Sequence, residues 1–545
     1  MTAVTDAKGN VVTERSKILE ECRAFYETLY QSSDNASQYT TEDAEQSYPV
    51  LESEIRFALS KMKEGKASGS DELVVDFLKV AEDEVIGPIA NVFTRILESQ
   101  EIPEDWKTGT VILLHKKGDR SNLKNYRPIT LLPHLYKLFT KTVCNRITKT
   151  LDENQGVEQA GFRKNFSTID HIHTVRQIIE KSNEYSKPLC LGFIDFEKAF
   201  DSVEHKSVFE AIEKQGVDVQ YINILKKIYK ETNAVIKMEG ESKPFQVRKG
   251  VRQGDTISPK LFTAVLEEIF RKLEWNERGI RIDGRKLSHL RFADDIVVFA
   301  RKMEDLETMI RELAEASGRC GLRLNAHKTK IMRNSLTPTR SITVKGAQID
   351  EVEQYVYLGQ LVNMTDGTEA EISRRCAQAW QAFGRAKLIF KSNIPICLKR
   401  QVFDQCILPV MTYSCETWTT TKKQRSKLEV TQRAMERAML KITRRDRKKN
   451  DWIRERTGVK DVLELAARLK WSWAGHMARR IDDRWTKRVS EWYPRDGVRR
   501  RGRQKTRWVD DIRKVAGTNW IREAQDRKRW KRHAEAFVQQ WTDTG

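Results

Sequence analysis

Leu290-Arg291-Phe292-Ala293-Asp294-Asp295-Ile296-Val297-Val298-Phe299 sets two apolar, strand-forming runs on either side of adjacent carboxylates. The pattern predicts a tight hairpin with both aspartates at its tip. Like charges side by side repel unless a cation neutralises them, and hard divalent ions take oxygen ligands that they share with substrate phosphates. A third carboxylate, Asp195, ends another apolar run, Leu191-Gly192-Phe193-Ile194, about a hundred residues earlier. Three carboxylates at strand ends suit two metal ions roughly 3.5–4 Å apart, which clamp the attacking and leaving oxygens of phosphoryl transfer. A lone Asp-Asp pair would read as a solvated turn; its company reverses that.

Working outward, Ile18, Leu19, Cys22, Phe25, Tyr26 and Leu29 recur at helical spacing. Residues 51–100 give more helix, interrupted by the turn-prone stretch Gly65–Asp71. A strand at Thr110–Leu114 leads through Lys116-Lys117-Gly118-Asp119 to Tyr126-Arg127-Pro128-Ile129. Helix is expected to about residue 150, from Ser167 to Glu184, and again from Glu197, after the strand that delivers Asp195. A strand pair around 234–248 precedes the loop Gly250-Val251-Arg252-Gln253-Gly254-Asp255, which opens a helix over Ser258–Leu273. A helix from Met303 stops at Gly321, Ile342–Val362 reads as short strands, and the chain beyond Glu369 is almost wholly helical. Interleaved strands and helices followed by an all-helical tail predict an α+β core with helical appendages.

A chain of 545 residues exceeds one core. Its +21 formal charge is uneven: residues 1–100 carry 10 Lys/Arg against 19 Asp/Glu, and residues 371–545 carry 44 against 20. A polyanionic partner gripped mainly by the C-terminal third is expected. The eight cysteines contain no Cys-x-x-Cys pair and read as reduced core thiols of an intracellular protein. No signal core and no run near the ~18 apolar residues of a membrane span is present.

In order, these elements resemble the reverse transcriptase domain of non-LTR retrotransposons. Phe193-Ile194-Asp195-Phe196-Glu197-Lys198-Ala199-Phe200-Asp201, Arg252-Gln253-Gly254-Asp255-Thr256-Ile257-Ser258-Pro259 and Phe292-Ala293-Asp294-Asp295 are similar to that family's first three palm motifs. Gly321-Leu322-Arg323-Leu324-Asn325-Ala326-His327-Lys328-Thr329 resembles the fourth, and Tyr357-Leu358-Gly359 the primer grip. Lys116-Lys117-Gly118 with Asn125–Ile129 resembles the fingers, and Gln159-Ala160-Gly161-Phe162-Arg163 a block of the non-LTR branch.

The resemblance implies a right-hand polymerase: an N-terminal helical extension or connector (1–105), fingers and a palm with antiparallel sheet (106–365), a helical thumb (366–450) and a basic, mainly helical Trp/Arg-rich domain (451–545). It implies that Asp195, Asp294 and Asp295, with the carbonyl of Phe196, hold two Mg²⁺ ions, Mn²⁺ being a substitute. Phe200 would exclude a 2′-hydroxyl, Lys116 and Arg127 would bind the triphosphate, and Gln253 and Gly254 would face nucleotide and template. Lys328, in preference to Lys330, would protonate the leaving pyrophosphate. His171 and His173 read as ordinary helix residues.

Beyond residue 450, nine tryptophans are interleaved with basic runs. Most read as the core of a helical domain, whereas Arg499, Arg500, Arg501, Arg503, Lys505 and Arg507 read as a nucleic-acid contact or nuclear-import signal. Gly475–Arg479 and Arg507–Ile512 resemble tails of element-encoded proteins. The expected partners are an RNA template, a DNA primer or nicked target DNA and dNTPs, with no membrane; the setting is nuclear, after cytoplasmic ribonucleoprotein assembly. Family members commonly carry an upstream endonuclease, which nothing here matches. The rivals are a nucleic-acid-binding ribonucleoprotein component without polymerisation and a maturase-like intron protein.

Overall fold

The computed structural model describes residues 1–6, 8–32, 48–365, 367–499, 502 and 505–543. The α+β class expected from the sequence is the one that forms. The helices that matter below are α1 (Arg15–Tyr30), α2 (His134–Glu153), α3 (Thr168–Glu184), α4 (Ser258–Arg271), α5 (Glu369–Arg385), α6 (Lys422–Met439) and α7 (Val462–Ala478). The strands are β1 (Thr108–His115), β2 (Tyr126–Leu131), β3 (Cys190–Ile194), β4 (Asn233–Ile236), β5 (Phe245–Gln246), β6 (His289–Phe292), β7 (Asp295–Ala300), β8 (Lys330–Arg333), β9 (Ile342–Val344), β10 (Ala347–Glu351), β11 (Gln354–Tyr357) and β12 (Gln360–Asn363). The chain divides into two compact units, one of Met1–Lys164, Asp195–Glu274 and Ile310–Asn325, the other of Asn165–Ile194, Trp275–Met309 and Ala326–Gly545.

In the first unit a four-stranded sheet runs β2-β1-β4-β5, antiparallel except for the pair β1–β4. Helix α1 presents Ile18, Cys22, Tyr26 and Tyr30 four residues apart, hence on one face, and that face is buried with Val111, Ile236 and Phe245. The segment read as a connector thus contributes to the core of this sheet. The helix expected to resume at Glu197 is a single turn, Ala199–Ser202. It cannot start earlier because Phe196 bridges Leu324 as strand and Lys198 sits at φ +42°.

In the second unit a six-stranded sheet runs β6-β7-β3-β8-β10-β9, antiparallel except for β8–β10. All five residues of β3 are buried, which is why it reads as an unbroken apolar run. A hairpin at Ile280–Ile282 and Arg285–Leu287 forms where the sequence reading assigned nothing. Its loop is Asp283-Gly284, with both residues at positive φ, the Asp-Gly signature of a tight hairpin turn.

Helix α3 is buried on nearly every side, with His171, His173, Arg176 and Gln177 inside. Its polar groups are satisfied by the C-terminal region. Asp170 accepts hydrogen bonds from Arg480 and Arg484, and Lys181 donates to the carbonyls of Val489 at 2.5 Å and Trp492 at 2.5 Å. One apolar core then runs from Ile372 to Trp541 and contains Trp471, Trp508, Trp520, Trp530 and Trp541. These tryptophans are core residues, as the favoured reading had it. The composition shift near residue 450 marks a change in surface chemistry and leaves this core continuous.

The two tail motifs find their purpose here. The Trp471 and Trp530 rings stack at 3.9 Å, and each indole N–H donates to the other's backbone carbonyl. A Cβ on Gly475 would lie 2.3 Å from Trp530 Nε1, so the glycine makes room for that ring. Asp511 accepts from buried Lys470 at 2.8 Å and from the Trp541 indole at 3.0 Å. Gly475→Ala must displace the Trp471–Trp530 stack and should destabilise the second unit by about 1–3 kcal/mol. A lower thermal midpoint with a red-shifted tryptophan emission is the expected outcome; an unchanged midpoint would show that the ring has room to move.

Candidate active site

The acidic hairpin lies in the second unit. Phe292 pairs with Asp295, so the loop holds only Ala293 and Asp294, and Asp295 is the first residue of β7. Ala293 occupies φ +56°, a conformation that costs an L-residue energy and concentrates at functional sites. Asp294 and Asp295 are exposed, and the four residues after them are buried. Across the sheet Ile296 pairs with Ile194, the last residue of β3. The next residue after Ile194 is Asp195, and the one before Ile296 is Asp295.

Beside this edge stands the β11–β12 hairpin. Tyr357 pairs with Gln360 across a two-residue loop, Leu358-Gly359, with φ of +45° and +83°, which matches the right-handed twist of the flanking strands. Tyr355 stacks on Phe193 of β3 at 4.3 Å, and the Tyr357 ring lies 5.6 Å from it. Burial, together with the charge of Asp295, holds the Tyr357 phenol far above its ordinary range. The loop is pinned from α5. Arg374 donates to the Gly359 carbonyl at 2.5 Å, Arg375 donates to the same oxygen, and both arginines pair with the buried Glu371. Glu371 also accepts from the Leu361 amide at 3.0 Å, and the Tyr413 hydroxyl donates to the Leu358 carbonyl at 2.7 Å.

The first unit holds the other expected residues. Asp195 is half-buried; its carbonyl accepts from the Asn325 amide at 2.8 Å, and the Glu197 amide donates to Arg323 at 2.9 Å. These two bonds flank the Phe196–Leu324 bridge and leave the Phe196 carbonyl out of the ladder. Half-buried Phe200 stacks on Phe262 at 4.4 Å and meets exposed Phe162 edge-on at 6.3 Å. The Gln253 carbonyl accepts from the Thr130 amide at 2.8 Å, and its side-chain amide donates to Asp201 at 2.8 Å. Gly254, at φ +121°, comes so close to the Thr130 carbonyl that a Cβ would lie 2.5 Å from it. Its freedom therefore serves backbone packing. Lys116, just past the end of β1, and Arg127 of β2 are exposed, with Leu114 paired to Arg127.

Residues 114–362 match the family described as reverse transcriptase (RNA-dependent DNA polymerase). A transposon-derived protein of Caenorhabditis elegans is 35% identical over 268 residues, covering 46% of this chain and 96% of that protein. The chain belongs to the reverse transcriptase family. The Pol polyprotein of a type-1 R2 retrotransposable element from Popillia japonica is 27% identical, over 52% of this chain and 39% of that one. The RNA-directed DNA polymerase of the mobile element jockey from Drosophila melanogaster is 22% identical, over 68% and 41%. The chain spans about two fifths of the length of these last two relatives. Apo telomerase of Candida tropicalis aligns over 70% of this chain and 67% of its own at 15% identity and a TM-score of 0.36, too slight a likeness to bear on the fold.

In this chain Lys330 is engaged by Asp350 and the His327 carbonyl, each at 2.5 Å, while Lys328 is exposed in the turn before β8. His171 and His173 are buried, and burial pushes the His171 imidazole down to about 4. His173 is hydrogen-bonded to Ser490 at 2.9 Å and wedged between Trp473 and Trp508. The basic run is less open than expected. Arg499 pairs with Glu184 at 2.8 Å, Arg507 with Asp510 at 2.8 Å, and Lys505 donates to the Thr365 carbonyl at 3.2 Å. Arg500, Arg501 and Arg503 lie outside the described residues. Among the described residues no three or more His, Cys, Asp or Glu side chains are gathered as a metal site. The all-oxygen, acidic donors at Asp294 and Asp295, on a strained loop open to solvent, fit a hard divalent cation.

Asp201 is the residue the sequence reading passed over. It is buried, and it accepts from Gln253 and, at 3.2 Å, from the Tyr30 hydroxyl of α1. Lys198 stands over the Phe25 and Tyr26 rings at 4.8 and 4.9 Å, its ammonium pushed down to about 8 by burial. Burial pushes the Asp201 carboxyl up to about 6, against the pull of Lys198, Gln253 and Tyr30. Sequence alone shows only one more acid after Phe200; nothing in it marks this one as enclosed.

The folded value of Asp201 exceeds the ordinary 3.8, so its contribution to stability is whole below about pH 4 and is lost as pH rises through about 6. The gap corresponds to about 3 kcal/mol. The thermal midpoint of the wild type relative to Asp201→Asn should therefore fall between pH 4.5 and 7. Parallel profiles for the two proteins would mean that Asp201 does not titrate in this interval.

Proposed function

We propose that this chain extends a DNA 3′-hydroxyl along an RNA template by two-metal nucleotidyl transfer, with Asp195, Asp294 and Asp295 as the metal-holding carboxylates. The observation that carries the proposal is the Ile194–Ile296 pairing: Asp195 follows Ile194 in the chain, Asp295 precedes Ile296, and Asp294 lies in the loop between β6 and β7. Two Mg²⁺ ions bound there, or Mn²⁺ in their place, would supply Lewis-acid stabilisation to the attacking and leaving oxygens. The Phe196 carbonyl, outside the strand ladder, is suited to be a further oxygen ligand.

The remaining residues bind and orient. Lys116, just past the end of β1, and Arg127 of β2 are exposed and offer charge-assisted bonds to a triphosphate. Phe200, braced by Phe262 on one face, sets a steric limit at the sugar. Gln253, fixed by Asp201, presents the loop before α4 to the nucleotide. Lys328 donates a proton to the leaving pyrophosphate. The Tyr357-Leu358-Gly359 turn, pinned by Glu371 through its two arginines, steadies the primer end. The wider assignments are a nicked chromosomal primer, action in the nucleus after cytoplasmic ribonucleoprotein assembly, and an endonuclease supplied by a separate domain or protein.

Asp294→Ala should lower single-nucleotide incorporation by about a thousandfold or more, the several kcal/mol expected of a lost metal ligand, while RNA binding stays near wild type. Incorporation at wild-type rates would overturn the assignment of the acidic hairpin. Phe200→Val should admit ribonucleotides, read as a smaller ratio of dNTP to rNTP kcat/KM on one primer–template. An unchanged ratio would place the sugar discrimination elsewhere.

A further inference from the structure

The C-terminal half carries an excess of positive charge, yet the described arginines of its densest run, Arg499 and Arg507, are paired within the fold. The sequence after α6 behaves differently. Residues 441–450, Lys-Ile-Thr-Arg-Arg-Asp-Arg-Lys-Lys-Asn, hold six cations and one acid. That acid, Asp446, is consumed locally: it accepts from the Thr443 amide at 2.7 Å and the Thr443 hydroxyl at 2.9 Å, and these bonds hold its carboxyl below the usual range. The capped turn, with Arg447 at φ +46°, splays the cations outward. Arg444, Arg445, Arg447, Lys448 and Lys449 are exposed, and none of them forms an ion pair among the described residues.

The turn has a rigid footing. Arg433 is buried and pairs with Glu436 and Asp461, and Gln432 accepts from the Val462 amide at 2.7 Å. Between α6 and the turn lies an open groove of about 390 Å³, lined by four cations, Arg433, Arg437, Arg444 and Lys448, and by one acid, Glu429. Arg437 donates to the Asn450 side-chain oxygen at 2.7 Å, a neutral partner, and forms no ion pair among the described residues. At one side Lys448 sits over the half-exposed Trp452 ring at 5.2 Å. Fixed cations around a groove, with an indole at its border, are what a strand of phosphates and unpaired bases requires.

We infer that the turn Lys441–Asn450 with the groove against α6 is a docking surface for the phosphate backbone of single-stranded RNA. The choice of RNA over other polyanions rests on the polymerase reading; the surface itself rests on the charges and the groove. A flexible basic tail would bind as a diffuse cloud, whereas this turn holds its cations at fixed positions and loses little ordering entropy on binding.

The test compares the full chain with a variant in which Arg444, Arg445, Arg447, Lys448 and Lys449 are all Gln, and with a control carrying Arg499→Gln, Lys505→Gln and Arg507→Gln. Binding of a labelled single-stranded RNA 20-mer of mixed sequence is measured at three KCl concentrations, with a 20-base-pair DNA duplex as the second probe. Each phosphate contact contributes roughly 0.7 to the slope of log affinity against log salt on single strands. The five-residue variant should flatten the RNA slope by about 2–4 and weaken binding at 0.1 M salt by about 10- to 100-fold. The control should change the slope by less than about 1. Arg-to-Lys replacement at 444, 445 and 447, which keeps the charge, should restore the wild-type slope and so separates loss of charge from loss of fold. An RNA slope unchanged in the five-residue variant, or a slope that moves on duplex DNA alone, overturns the inference. Primer extension at saturating primer–template is run in parallel: a wild-type chain that binds as expected but adds no nucleotide would sink the polymerase reading and leave the RNA surface standing.

Discussion

Cys190–Ile194 is a strand of five residues with no exposed face, hydrogen-bonded on one edge to Ile296–Ala300 and on the other to Lys330–Arg333. Everything the second unit offers to chemistry is measured from its register. A slip by one residue would turn Phe193 to the opposite face of the sheet, away from the Tyr355 and Tyr357 rings that seat the β11–β12 hairpin. The same slip would move Ile194 away from Ile296, the residue that follows the acidic pair. The burial of both faces penalises any such slip, because each of the five residues would trade a fitted apolar environment for another. Position at the acidic end is thus set by the packing of apolar residues.

A second constraint is polar. Helix α3 carries Asp170, His173 and Lys181 into the interior, where an unsatisfied charge is costly. Each finds its partner in residues 480–492. The arginine-rich tail is therefore partly a set of counterions and carbonyls for the interior of the fold, and its charge is a poor guide to what its surface does. The turn after α6 is the reverse case: its one acid is used up by a cap, and its cations face water.

The carboxylate hairpin, the β3 strand and the loop before α4 were legible because each couples an apolar run to a few residues with narrow chemical uses. The tryptophans were legible as core for the same reason. The Asp283-Gly284 hairpin was equally available as a two-residue turn signal and was passed over because the strands around it are only three residues long. Asp201 and Glu371 could not be read, since an acid whose neighbours in the chain are ordinary shows nothing of the enclosure that three-dimensional packing gives it. The helix expected from Glu197 failed through a long-range cause, the Phe196–Leu324 bridge, which overrides local preference. The pairing of Arg499 with Glu184 and of Arg507 with Asp510 is invisible in a count of charges.

The second unit gathers Asn165–Ile194, Trp275–Met309 and everything from Ala326 onward, and its interior is closed by Trp530, Phe537 and Trp541 near the end of the chain. A ribosome making this protein from its first residue delivers α3 some three hundred residues before the arginines and carbonyls that neutralise it. Until then Asp170 and Lys181 lack the partners that enclose them in the finished fold, although both strands that flank β3 have already been made. A copy of this sequence interrupted in its last tenth would lose Trp530, Phe537 and Trp541 and leave the core that runs from Ile372 onward open, with the strands of the acidic hairpin already in place.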